Sequence, residues 1–104
     1  RQKFMEIIHD ALRNQFKTEV EGHLAHVAYR IENGALDIRH TIVPEEIGGR
    51  GIASALVKAA YDYAREKDLR AVATCSYAVA WLGGHPEYAG EKGADFAGTH
   101  SCAL

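Results

Sequence analysis

The segment Gly48-Gly49-Arg50-Gly51-Ile52-Ala53 is where residue types and spacing first suggest chemistry. Its glycines sit just before a stretch of helical periodicity. Glycine reaches backbone angles closed to other residues and lets a ligand come close to the main chain. Free N–H groups at a helix start carry partial positive charge and attract phosphate. Arg50 adds a full positive charge, and no carboxylate occurs between Gly48 and Lys58 to repel an anion. A plain glycine turn that caps a helix has the same spacing, and on spacing alone the two readings weigh equally.

Other phosphate loops fit less well. The Walker pattern ends in Gly-Lys-Ser/Thr, whereas this chain reads Gly51-Ile52-Ala53. The dinucleotide fingerprint would place Ser54 where its last glycine belongs. It also wants an acidic residue about 20 positions on, where Leu69, Arg70 and Ala71 stand.

The elements that would position this loop follow from periodicity. Residues 4–16 fit either a helix, through Phe4, Ile7, Ile8, Ala11 and Leu12, or a short edge strand at 5–9. Phe16, Thr18 and Val20 alternate as a strand over 15–20. Glu21-Gly22 is a hairpin turn, residues 23–30 alternate again, and Asn33-Gly34 supplies a second tight turn. Residues 36–43 form a further strand with Leu36, Ile38, His40 and Ile42 on one face, ended by Pro44. From Ile52 to Lys67 the period becomes helical, with Ile52, Leu56, Ala59, Ala60 and Tyr63 on one face. Asp68-Leu69-Arg70 reverses the chain into a buried strand over 71–75, so the strand–helix–strand unit predicts local parallel pairing. A short helix over 77–82 ends at Gly83-Gly84, and the small, polar residues 89–104 read as a loose tail after a domain spanning 4–88.

Bulk composition limits the function classes. A chain of 104 residues is one domain with one modest core. The net charge of −2 and the scattered basic residues argue against nucleic acid. The longest mostly apolar stretch, Ala71–Leu82, is well short of the ~20 residues that cross a bilayer. Arg1, Lys3 and Glu6, with no apolar run after them, do not make a signal peptide, and a first residue of Arg leaves a start upstream open. Two cysteines, Cys75 and Cys102, form no disulfide framework, so a reducing, cytoplasmic setting is expected. His23 and His26 lie three apart on a strand and point to opposite faces, so no metal site is expected.

The run His40-Thr41-Ile42-Val43-Pro44 followed by Arg50-Gly51-Ile52-Ala53-Ser54-Ala55-Leu56-Val57 resembles motif A of the GCN5-related N-acetyltransferases. Cys75-Ser76-Tyr77 and His85-Pro86-Glu87-Tyr88 narrow the resemblance to the small YjdJ-type subfamily, over residues 5–88. The resemblance implies an α/β (α+β) fold with a mixed, mainly antiparallel sheet, one long helix and one short helix. It favours a strand at residues 5–9, and it implies a V-shaped opening between two central strands that holds acetyl-coenzyme A. Main-chain groups of Ile42 and Val43 would pair with the pantetheine arm. The loop Gly48, Gly49, Arg50, Gly51, Ile52, Ala53 and Ser54 would hold the diphosphate. The family usually has Gln or Arg where Gly48 stands, a loss that removes one side-chain contact and leaves the main-chain donors, with Arg50 placed to compensate.

Acetyl transfer needs an amine that loses its proton, a polarised thioester carbonyl and a thiolate that leaves. The strand over 36–43 offers no carboxylate base except Asp37, near its wrong end. The resemblance puts Cys75 close to the acetyl group, where a thiolate would accept it covalently; a buried, inert cysteine is the plainer reading. His40 would serve as base for Cys75 or for the amine, against the plainer reading of a core histidine. Tyr77, Trp81, His85 and Tyr88 would shape an acceptor pocket or supply a leaving-group proton, with packing the default for Trp81 and Tyr88. The expected activity is acetyl transfer from acyl-coenzyme A to an unidentified amine by a monomer or weak dimer. The alternative is a non-catalytic acetyl-coenzyme A binding or sensing module.

Overall fold

The computed structural model describes residues 6–93. Strands β1 (Ile8–Asp10), β2 (Gln15–Val20), β3 (His23–Glu32) and β4 (Ala35–Ile42) precede helix α1 (Ile52–Glu66). Strand β5 (Arg70–Ala73), helix α2 (Ser76–Gly83) and strand β6 (Glu91–Lys92) follow. They make a six-stranded sheet in the order β1-β2-β3-β4-β5-β6. The pairs from β1 to β4 are antiparallel, whereas β4–β5 and β5–β6 are parallel. This is the mixed, mainly antiparallel sheet with one long and one short helix that the resemblance implies.

The two-residue turns β2–β3 and β3–β4 use left-handed residue pairs. Glu21 and Gly22 have φ of 52° and 80°, and Asn33 and Gly34 have 54° and 74°. Turns with two positive φ values match the twist of paired strands. They fix the register at Val20↔His23 and Glu32↔Ala35. The inward face of the meander is then Phe16, Thr18, Ala25, Val27 and Tyr29, all buried.

Helix α1 covers that face. Its buried residues are Ile52, Leu56, Val57, Ala60, Tyr61 and Ala64. The apolar stripe therefore runs further round the helix than the spacing predicts, and Ala59 and Tyr63 sit at its margin. Tyr61 fixes α1 to β5, because its hydroxyl donates to the Val72 carbonyl at 2.6 Å.

The ambiguous N-terminal segment contains the strand β1, not a helix. Leu12 is 97 % exposed, so the helical spacing there buries nothing. The segment expected to be loose from Ala89 begins otherwise: Glu91 and Lys92 pair with Val72 and Ala73 as an edge strand. Cys102 and the rest of the expected tail lie outside the described residues.

Candidate functional site

The parallel pairing of β4 with β5 ends at Ile38↔Ala73. Thr74 and Cys75 both donate their main-chain N–H to the Ile38 carbonyl, at 3.0 and 3.2 Å. Beyond that point β4 runs on to Ile42, paired with β3 alone among the described residues. The strands thus part, and the main chain from Arg39 to Val43 presents an edge to the opening.

A second irregularity changes which way β4 points. Val27 pairs with Thr41 and Ala28 with His40, yet Tyr29 pairs with Ile38. Arg39 is thus the extra residue of a bulge, and a bulge reverses the alternation that follows it. Leu36 and Ile38 face the core before it; Thr41 and Val43 face the core after it, all four buried. His40 is consequently exposed on the face opposite Thr41. This corrects the expectation that Leu36, Ile38, His40 and Ile42 share one face, and His40 is no core histidine.

At the apex of the opening, Cys75 is fully buried, and its Sγ lies 3.4 Å from Thr41 Oγ1. Cys75 is disulfide-bonded, and its partner is not among the described residues. A sulfur in that state has no proton, so the Thr41 hydroxyl is the donor. The expected thiolate is absent from this state, and with His40 on the other face the expected Cys75–His40 pair does not form.

The glycine loop closes the other side of the opening. Gly49 and Gly51 have φ of 76° and 77°, a region open to glycine at little cost. Gly51 is the N-cap of α1, and no side chain caps the helix. The first helical bond runs from the Ala55 N–H to the Gly51 carbonyl at 3.1 Å. The N–H groups of Ile52, Ala53 and Ser54 precede it and lack helical acceptors. Buried Ile47 anchors the loop from below.

A cavity of about 220 Å³ lies here, lined by Val43, Ile47, Gly48, Gly49, Gly51, Ile52, Ala53, Ser54 and Tyr77. The expected residues Val43, Gly48, Gly49, Gly51, Ile52, Ala53 and Ser54 are thereby brought together, while Ile42 and Arg50 lie outside the lining. Ile47 and Tyr77 join them. A larger hollow of about 450 Å³ sits among Arg30, Glu32, Asp37, Arg70 and Glu91, away from the loop. It has neither glycine loop nor helix start, so the smaller cavity is the better anion site.

The surrounding side chains depart from the sequence reading in several ways. Ser54 Oγ accepts from the Trp81 indole N–H at 2.9 Å, which ties α2 to the head of α1. Arg50 is gripped by Glu21, with Nη1 2.9 Å from Oε2 and Nη2 3.1 Å from Oε1. A carboxylate absent from the loop's own sequence therefore arrives from the β2–β3 turn, and it raises the Arg50 pKa above its ordinary value. Asp37, the carboxylate of β4, is held by the Thr74 hydroxyl at 2.9 Å and by Arg39 at 3.1 Å. His85 stacks on Trp81 with centroids 3.8 Å apart, and the Tyr88 hydroxyl donates to Asp62 at 2.6 Å. These three aromatic residues pack α2 and the following turn, as the default reading has it for Trp81 and Tyr88. Among the described residues no cluster of His, Cys, Asp and Glu could hold a metal, and no helix is long and apolar enough to cross a membrane.

Comparison with known proteins agrees with this geometry. The family model of the GCN5-related N-acetyl-transferases matches residues 15–91. Protein NATD1 of Bos taurus is 41 % identical over 76 residues, covering 70 % of this chain and 67 % of the relative. Protein NATD1 of Danio rerio is 37 % identical over 89 residues, covering 81 % of each chain. The solution structure of a GCN5-like protein from Staphylococcus aureus superposes with a TM-score of 0.67 at 31 % identity. That match covers 91 % of this chain and 96 % of the other. With its parted strands and glycine loop, the chain belongs to the GCN5-related N-acetyltransferase family.

Proposed function

We propose that the chain binds acetyl-coenzyme A in the opening between β4 and β5 and transfers the acetyl group to an amine. One observation carries this reading: β4 and β5 part after Ile38↔Ala73, beside uncapped N–H groups at the head of α1. The N–H groups from Gly49 to Ala53 take the diphosphate. The free edge of β4 at Ile42 and Val43 pairs with the amide groups of the pantetheine arm. Ser54 contributes its main-chain N–H, since its hydroxyl already serves Trp81.

In the transfer, the amine nitrogen attacks the thioester carbonyl, a C–N bond forms, and the C–S bond breaks to release coenzyme A as a thiolate. The proton of the amine passes to the exposed His40 imidazole, on the open face of the sheet. A cytoplasmic setting belongs to the proposal and would keep Cys75 as a thiol. In that reduced form the Cys75 thiol attacks the thioester carbonyl, its proton goes to the departing coenzyme A sulfur, and the acetyl group passes on from Cys75 to the amine. In the disulfide form only direct attack is open. The motifs at His40–Pro44 and His85–Tyr88 support the reading that the chain is kin to the small YjdJ-type proteins.

A second reading is favoured by one observation. Asp37 is tied up by Arg39 and Thr74, so β4 offers no free carboxylate base. A non-catalytic acetyl-coenzyme A binding module would need none. Incubation with acetyl-coenzyme A and a panel of primary amines, followed by assay of released thiol, separates the two. Amine-dependent thiol release supports transfer; tight binding with no release over the panel supports the binding module.

A further inference from the structure

The β2–β3 turn and the phosphate loop meet although they are far apart in sequence. Arg50 forms a two-pronged pair with Glu21 across a separation of 29 residues. Beside it, His23 Nδ1 lies 3.9 Å from Glu46 Oε1, in the turn that leads into the loop. The backbone of Glu21 is fixed by the tight turn set by Val20↔His23, where its φ is 52°. The basic side chain of the loop is therefore held by a carboxylate from another hairpin.

Guanidinium forks pair with carboxylate and phosphate by the same planar geometry. The side chains of Arg50 and Glu21 are 44 % and 65 % exposed, and an exposed ion pair contributes little to stability. Such a pair opens readily to a stronger anion. We propose that Glu21 is a positioning residue for the phosphate loop: it holds Arg50 when no coenzyme is bound and competes with the coenzyme phosphates for it. The inference rests on the reading that this loop takes the diphosphate. Arg50 then exchanges between two partners, the carboxylate of the turn and the phosphate of the ligand. The competition weakens binding and speeds release of the product coenzyme A.

A double-mutant cycle tests it. Coenzyme A binding is measured by calorimetry in low salt for the wild type, Glu21→Gln, Arg50→Ala and the double variant. Glu21→Gln should tighten binding by about two- to fivefold, the range expected for one exposed pair. It should slow coenzyme A dissociation in stopped flow by a similar factor, and both effects should vanish in the Arg50→Ala background. Thermal unfolding of each variant should stay close to that of the wild type, so a change in affinity is not a change in folding. Equal tightening with and without Arg50 would reduce Glu21 to a distant repulsive charge and overturn the proposal. Unchanged affinity in Glu21→Gln, with the wild type binding well, would overturn it while leaving the site intact. Absence of coenzyme A binding in the wild type would sink the site and this inference together.

Discussion

Thr41 Oγ1 and Cys75 Sγ meet at 3.4 Å, across the point where β4 and β5 part. Both are fully buried, so the apex of the opening is a packed contact rather than a solvent channel. The contact exists because the bulge at Arg39 turns Thr41 inward and sends His40 outward.

The state of Cys75 should decide whether it takes an acetyl group. Intact mass after incubation with acetyl-coenzyme A should show one added acetyl in reduced protein. Protein kept oxidised and the Cys75→Ala variant should show none. An adduct of equal yield in Cys75→Ala would place the acetyl group elsewhere. No adduct in reduced protein that still releases thiol to amines would leave direct attack as the route.

In the proposed reaction His40 accepts the proton of the incoming amine. Proton transfer by a positioned side chain typically supplies about 10²–10⁴-fold. His40→Gln should therefore lower kcat by about 100-fold or more, with coenzyme A affinity held within about twofold, because His40 does not line the loop. An unchanged kcat would remove His40 from the chemistry.

Much of the meander was legible in the residues, and the reason is local. Glu21-Gly22 and Asn33-Gly34 are turns that need no distant partner, and the inward faces alternate strictly between them. The parallel β5 is legible from its apolar run. The bulge at Arg39 is not, because a single extra residue leaves the composition of β4 untouched and only its pairing with β3 shows it. Glu91–Lys92 carries no strand signal, and two charged residues become a strand only because Val72 and Ala73 offer them a free edge. The loop glycines were readable from their types, but the carboxylate that grips Arg50 comes from another hairpin and no local pattern announces it.

Tyr61 should matter for stability more than its place on a helix suggests. Its hydroxyl is buried against the Val72 carbonyl, and burial keeps it a phenol by pushing its pKa up. Tyr61→Phe should cost about 1–3 kcal/mol, the penalty of a buried acceptor left unmatched. For a domain of this size each kcal/mol lowers Tm by about 4–8 °C. A Tm equal to that of the wild type would show that another donor reaches Val72.

Stability should also fall on mild acidification. The His9 ring stacks on Phe16 at 4.1 Å and pairs with the Tyr29 hydroxyl. Burial lowers its pKa below 6.5, against the opposing pull of Asp10. The folded state thus favours the neutral ring. The unfolded chain binds the proton first as pH drops, so this contribution is complete above pH 6.5 and is lost as pH falls through the depressed native value. His26, lowered by burial and by His40 and Lys17, acts in the same direction. His9→Phe keeps the stack and should flatten the acid slope of Tm below that pH. A slope identical to the wild type would assign the loss to other groups.

The grip of the loop on the diphosphate is tested most directly by calorimetric titration of coenzyme A into the wild type and Gly51→Asp. No atom lies within 4 Å of a Cβ built at Gly51, so the change meets no steric block within the protein. It adds strain at φ 77° and sets a negative charge against the cradle. The wild type should bind, and Gly51→Asp, folded by circular dichroism, should bind at least about tenfold more weakly, one unit pair of like charges at close range being worth over 1 kcal/mol. Equal affinity in the two proteins would contradict the account.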